Sequence, residues 1–316
     1  KFSSSLFNFY TKSFKKFKKN SNMKIYICSL LSKKNFKFLN SHLNSLNKLK
    51  IPGDCEFKMI FVINPKIYIS RNLIKSFLNK VDYLILESIR DNIPDSRNTF
   101  IKFIKNRNIH YAGFLDDDCI IDENWLLNMI KFIKQNKCDV VGGPQKHKVK
   151  NKIFKNYYDI LEPSRIHGQL VKWVATNNCL FNKKSFSKPK VLFDSKLSNV
   201  GGSDQLFFSK LNKKKLLIKW NKKSFITENF DSQREKKLWF FKRNLRYGYS
   251  GNLIDKKIYG KIGLVIILTK LLYLLSFALF LLVIPSRKNY IKASFLFYRV
   301  LGRILGLLNY KPKKYI

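Results

Sequence analysis

From residue 24 to about 143, short apolar runs alternate with amphipathic stretches, and this alternation constrains the fold more than any other property of the chain. Lys24 to Leu31, Phe57 to Ile63, Tyr83 to Leu86, Tyr111 to Leu115 and Asp139 to Gly142 read as strands. Between them, Phe36 to Leu46, Leu73 to Asn79, Asp95 to Ile104 and Trp125 to Ile133 space their apolar residues as helices do. Strands joined by helical crossovers pair in parallel, so the pattern predicts an α/β fold with a mostly parallel sheet. A chain of 316 residues can bury one large α/β domain and carry an appendage.

The fourth strand ends in Asp116-Asp117-Asp118, three carboxylates in a chain of net charge +42. Open α/β sheets bind ligands at the carboxyl ends of their strands. Three adjacent anions repel one another, which a cation relieves, and oxygen donors suit Mg²⁺ or Mn²⁺ shared with a substrate phosphate. The competing reading is an acidic turn before the helix that starts near Glu123. Cys119 reads as a small semi-buried residue rather than a thiolate ligand.

The charge comes from 62 Lys and Arg against 20 Asp and Glu, spread along the chain without a basic tract bearing aromatic platforms, so no nucleic-acid partner is expected. Five cysteines with no C-x-x-C pair indicate neither a disulfide framework nor a zinc ribbon. Residues 1–22 read as an unstructured or non-native extension, with Met23 as a candidate start, and they lack the uninterrupted apolar core of a signal peptide.

In the second half, Val171 to Phe181 reads as a strand entering a polar turn. Ser203 to Leu211 reads as a short helix after the turn Asn199-Val-Gly-Gly202, Lys215 to Ile218 and Ser224 to Thr227 as strands, and Gln233 to Tyr249 as a basic-aromatic helix. Residues 262–284 are apolar enough to cross a bilayer and hold one charge, Lys270, whose stem can snorkel to the near interface. Tyr290 to Leu308, with Lys292, Arg299 and Arg303, looks interfacial. Basic residues flank the apolar run on both sides, which leaves a single span, a shallow hairpin and a monotopic pair all open.

Two further motifs come after the triplet: Gly201-Gly-Ser-Asp204 opening a helix, then Arg243-Asn-Leu-Arg246-Tyr-Gly248 just before the apolar run. Taken together, these resemble the family 2 glycosyltransferases of bacterial envelope polysaccharide synthesis. Pro94-Asp-Ser-Arg-Asn98 is similar to that family's A-R-N segment and Phe114-Leu-Asp-Asp-Asp118 to its DXD motif. Asn124-Trp-Leu126 resembles the family's segment just downstream of the DXD, and Trp173 to Phe181 the acceptor-side strand. Leu301-Gly-Arg-Ile-Leu-Gly-Leu-Leu308 resembles tails of the group. The resemblance extends over roughly residues 23–310.

It implies a GT-A fold, a sugar nucleotide donor, here a UDP-sugar, and a divalent cation, Mn²⁺ or Mg²⁺. By the same resemblance Asp118 becomes the primary metal ligand, Asp116 its partner toward ribose or metal-bound water, and Glu228 a third ligand. Asp117 is expected to matter least. Asp204 matches the family's general base; read without the family it is also good helix-capping chemistry. Arg97 and Asn98 are expected to order the donor pocket, against the alternative of a helix start after Pro94. Arg243 and Arg246 share one helix face and suit either a diphosphate or anionic lipid. The chain departs from the pattern twice. Ser203 stands where the family has Glu, and Asn64 where many relatives have an Asp that reads the base. It also lacks the Q-x-x-R-W form of processive synthases, so transfer of a single sugar is expected.

The expected organisation is an extension over 1–22, a GT-A domain over 23–255 with a nucleotide-sugar half (23–143) and an acceptor half (144–255), and a membrane-associated helical tail over 256–316. The expected function is metal-dependent, inverting transfer of a hexosyl unit to a lipid-linked or glycan acceptor at the cytoplasmic face of the bacterial plasma membrane. An inactive membrane scaffold and a nucleotidyl or phosphoryl transferase are the alternatives.

Overall fold

A computed structural model describes residues 11–12, 23–64, 71–162, 164–183, 191–229 and 231–310. These fall into two compact units that interleave along the chain. The first lies within Lys1–Lys146, Arg165–Ser195 and Lys210–Asn229, the second within His147–Ser164, Lys196–Ser209 and Phe230–Ile316.

In the first unit, β2 (Met23–Leu31), β3 (Cys55–Ile63), β4 (Asp82–Glu87) and β5 (Tyr111–Asp116) pair in parallel in the order β4-β3-β2-β5, as the alternation predicts. β9 (Asn178–Asn182) inserts antiparallel between β5 and β7 (Val140–Gly142), and β10 (Ile218–Trp220) pairs parallel with β7 at the far edge. Of the extension read over 1–22, only Thr11–Lys12 is described. It forms β1, antiparallel to β4.

Helices cover both faces of the sheet, which is why its strands read as continuous apolar runs and not as alternations. On one face α1 (Phe36–Asn47), α2 (Arg71–Phe77) and α4 (Trp125–Asn136) bury Leu39, Leu43, Ile74, Trp125 and Met129 against Ile25, Ile27, Met59 and Phe61. On the other, α3 (Ile93–Lys105) sets Phe100 edge-on to Phe114 at 5.2 Å and Phe103 over Tyr26 at 6.4 Å. Asn92 starts α3 by accepting from the Asp95 N–H at 2.8 Å, with Pro94 in the first turn. Pro94 to Asn98 is therefore the opening of a helix.

Where the chain leaves β5 it forms β6 (Cys119–Ile121), which pairs with β11 (Ile226–Glu228) in a separate three-stranded sheet completed by β8 (Gln145–His147). No strand forms over 171–177. An isolated bridge at Leu170 precedes that segment, which holds a bend and a turn, and the strand begins at Asn178, where the polar turn was expected.

The second unit holds α5 (Lys152–Leu161), the amino-terminal part of α6 (Ser203–Lys213), α7 (Lys237–Tyr259), α8 (Gly263–Val283) and α9 (Arg287–Leu307). α7 runs ten residues beyond the predicted end at Tyr249. Its extension buries Asn252, Ile254 and Asp255, a partly polar face that an apolar-spacing rule does not recognise as core.

Candidate active site

The acidic turn joins two sheets. Asp116 lies opposite Leu30 at the carboxyl end of β5, and Cys119, which opens β6 just past the triplet, lies opposite Glu228 of β11. The Asn229 N–H then donates to the Asp118 carbonyl at 2.9 Å, fixing the end of β11 against the turn. Pairing register thus brings Glu228 to the triplet from a distant part of the sequence.

The three aspartates differ. Asp116 is partly exposed, whereas Asp117 and Asp118 are buried. Arg97, itself buried with its guanidinium 5.5 Å from the Phe193 ring centre, approaches Asp116 at 3.9 Å, the outer limit of an ion pair. Asp117 accepts from the Ser32 N–H at 2.7 Å and from the Asn35 amide at 2.5 Å, so it ties the turn to the loop after β2. Burial outweighs those bonds and pushes its carboxyl up to about 7. Burial first, then the negative charges of Asp118, Asp116 and Glu228, raises the Cys119 thiol well above its ordinary value. Burial therefore favours the thiol form of Cys119 in the protein alone.

Beneath the turn lies His42, fully buried in α1. A carbonyl only accepts, so the contact of Nδ1 with the Cys119 oxygen at 2.8 Å places the ring proton on Nδ1. Nε2 is then left to accept from the Ser29 hydroxyl at 3.1 Å. Both nitrogens are satisfied in the neutral form, and burial lowers the pKa to about 4. Beside it, Trp125 donates its indole N–H to Asn178 at 2.7 Å, and the Asn178 amide donates to the carbonyls of Pro144 and Ser224 at 3.0 and 2.9 Å. Leaving such a buried donor unpaired costs about 1–3 kcal/mol, so this asparagine is a structural tie.

A second chain of amides leads to Glu228: Asn177 donates to Gln145, and Gln145 donates to the Glu228 carboxylate. Asn229 is buried, and its amide nitrogen has no hydrogen-bond partner among the described residues. His42, Gln145, Asn177 and Asn229 were not legible as site residues in the sequence. Asn177 alone falls in a segment covered by the resemblance, Trp173 to Phe181, and the one other cue was that His42 is among only four histidines.

As a cation site the set offers hard oxygen donors from Asp116 and Asp118, with Glu228 opposite Cys119. Among the described residues no group of three or more His, Cys, Asp or Glu side chains is gathered to hold an ion unaided. Hard carboxylate oxygens are the donor type that suits Mg²⁺ or Mn²⁺, which one or two carboxylates hold together with substrate phosphates and water.

Two further sequence candidates have other work. Both groups of the Asn98 amide are spent on the Phe193 backbone, donating to its carbonyl at 2.9 Å and accepting from its N–H at 2.8 Å. With Ser195 donating to Asp95 at 2.6 Å, this straps residues 193–195 to α3. Asn64 donates to Asp91.

In the second unit, Gly201 and Gly202 take φ of 78° and 81°, the left-handed region, and hand the chain to α6. A side chain on Gly202 would also meet Ile254 at 2.9 Å. This turn places Asp204 in the first turn of α6, half-buried, with one carboxylate oxygen accepting the Gln205 N–H at 2.8 Å. The Arg246 guanidinium lies against Gly201, 3.6 Å from where a Cβ would stand. Arg243 instead donates to the Tyr247 hydroxyl at 2.6 Å and lies 4.8 Å from the Trp239 ring centre. The two arginines thus share a helix but not a setting.

Solved structures share this architecture. A mannosyltransferase from Pyrobaculum calidifontis, in complex with GDP-Man and Mn²⁺, superposes with a TM-score of 0.61 over 91% of this chain and 88% of its own, at 10% identity. S. aureus TarS 1–349 in complex with UDP-GlcNAc superposes at 0.52 over 91% and 92%, with 14% identity. The fold is that of the GT-A glycosyltransferases. Residues 27–212, more than half of the chain, match the family model "Glycosyl transferase family 2", and the protein belongs to that family. Among curated proteins, the succinoglycan biosynthesis protein ExoM of Rhizobium meliloti (strain 1021) is 23% identical over 233 residues, 69% of this chain and 72% of ExoM.

Proposed function

We propose that this glycosyltransferase moves one hexosyl unit, with inversion, from a UDP-sugar to a lipid-linked or glycan acceptor in exopolysaccharide synthesis, at the cytoplasmic face of the bacterial plasma membrane. The observation that carries the donor side is the Asp116–Asp118 turn with Glu228 opposite Cys119, at the strand ends of a GT-A sheet. The likeness to ExoM supports the polysaccharide context, and the nucleotide sugars and Mn²⁺ in the neighbouring structures support the donor class.

A divalent cation held by Asp116 and Asp118 would supply Lewis-acid stabilisation of the departing nucleoside diphosphate. Glu228, which accepts from Gln145, would add an oxygen donor only alongside substrate phosphates and water. The Asn229 amide is a hydrogen-bond donor for a phosphate oxygen, and Arg97 sets the orientation of Asp116. Asp204, at the positive end of α6, takes the proton of the attacking acceptor hydroxyl. Arg246, beside the same turn, is suited to the diphosphate. Catalysis is assigned to 23–255 and membrane attachment to 256–316.

The test is a donor panel with Mn²⁺. A sugar nucleotide that binds the native state raises the melting temperature and is hydrolysed slowly without acceptor. Asp118→Ala should lose both effects, with donor kcat/KM down at least about 100-fold. Wild-type protein that neither binds nor hydrolyses any sugar nucleotide would overturn the reading.

A further inference from the structure

α8 has the length and apolarity of a membrane span, and its 21 residues rise about 31 Å, close to the hydrocarbon thickness of a bilayer. Length therefore leaves its orientation open. Its neighbours in the second unit decide it.

One stripe of α8 is packed. Ala278 and Leu281 meet Ala293 and Leu296 of α9 across the short Ile284–Ser286 link. α9 is in turn bolted along α7. A Cβ on Gly248 would stand 2.0 Å from the Arg299 carbonyl oxygen, and one on Gly302 would stand 1.9 Å from that of Leu245, so the two backbones touch. Arg299 donates to Asn244 at 2.7 Å, and Arg303 donates to Asn252 and Asp255 at 2.8 and 3.1 Å. Lys270 is the one charge in α8. It donates to the other oxygen of Asp255 at 2.6 Å.

The opposite stripe of α8 is apolar and open, with Leu264, Leu268, Leu272, Leu279 and Val283 along its length. Around it the charge is of one sign. Lys256, Lys257 and Lys261 are exposed before α8, and Arg287 and Lys288 after it, and no Asp or Glu comes after Asp255 in the sequence.

If α8 crossed a bilayer, α9 would cross beside it and bring Lys292, Arg299, Arg303 and the basic α7 to the same depth. Each such charge costs about 3 kcal/mol at mid-bilayer, so insertion is opposed by several charges at once. We infer that α8 lies in the plane of the membrane, its open stripe in the headgroup and acyl boundary of an anionic bilayer and its basic ends on the lipid phosphates, with the Ile284–Ser286 link on the same side as the catalytic domain. An in-plane helix uses the open stripe and leaves the charges of α7 and α9 in water or in their contacts within the second unit.

This rests on the proposed membrane attachment, and two readouts keep the failures apart. In flotation, the full chain should rise with phosphatidylglycerol-containing vesicles, and Leu272→Glu/Leu279→Glu should reduce the floated fraction at least tenfold at an unchanged melting temperature. Failure of the wild type to float overturns attachment and the in-plane assignment together, and a double variant that floats like the wild type overturns the assignment of the surface. For geometry, Ser286→Cys and Ser232→Cys are exposed to a membrane-impermeant maleimide in intact cells and in inverted vesicles, with the unsubstituted chain as blank. Labelling of both only in inverted vesicles is expected. Ser286→Cys labelled from the outer side would overturn the in-plane assignment while leaving attachment intact.

Discussion

His42 donates its Nδ1 proton to the Cys119 carbonyl over 2.8 Å, and this bond holds the residue after the acidic turn from below. The ring is fully buried and neutral, and its pKa falls from 6.5 to about 4 because burial disfavours the imidazolium. A depressed folded-state pKa gives stability that is complete above the unfolded value and lost as pH falls through the folded one. Between pH 6.5 and about 4 this group should remove about 3 kcal/mol of unfolding free energy. Guanidinium unfolding at a series of pH values should show that slope in the wild type and a shallower one in His42→Gln. Equal slopes would mean that His42 does not govern the acid response.

Asp117 should matter more for stability than its sequence context implies. Asp117→Ala leaves the Ser32 N–H without its acceptor and should cost about 2 kcal/mol. Asp116→Ala, at the partly exposed position, should cost under about 1 kcal/mol. Denaturant titration of the two variants decides; the reverse order would show that the strap from Asp117 to the β2 loop is not formed in solution.

For Asp204 the base and the helix cap predict different losses. Asp204→Asn should lower kcat by about 10²–10⁴-fold with donor KM unchanged. A capping role alone would leave kcat and cost about 1 kcal/mol of stability. Steady-state kinetics alongside thermal melting of the same preparation separates the two.

Asp255 neutralises two cations from different helices, Lys270 and Arg303. Arg303 is buried, whereas Lys270 is 44% exposed, so most of the loss in Asp255→Ala should come from the stranded guanidinium. The variant should be destabilised by about 3–5 kcal/mol, and adding Arg303→Met should restore more of it than adding Lys270→Met. Chemical unfolding of the three variants tests that order.

The sequence by itself determined the parallel sheet from strand–helix alternation, the place of the acidic triplet at a strand end, and the Gly-Gly turn that presents Asp204. These are local: hydrophobic period, Asp at a strand end and the left-handed freedom of glycine act within a few residues of where they are read. Only the tertiary structure sets Glu228 opposite Cys119, makes Asp117 a strap, ties Asn98 to Phe193 and pairs Lys270 with Asp255. Each depends on strand register or helix contact between residues far apart in the chain. A buried polar group takes its partner only once folding has removed the water that would otherwise satisfy it.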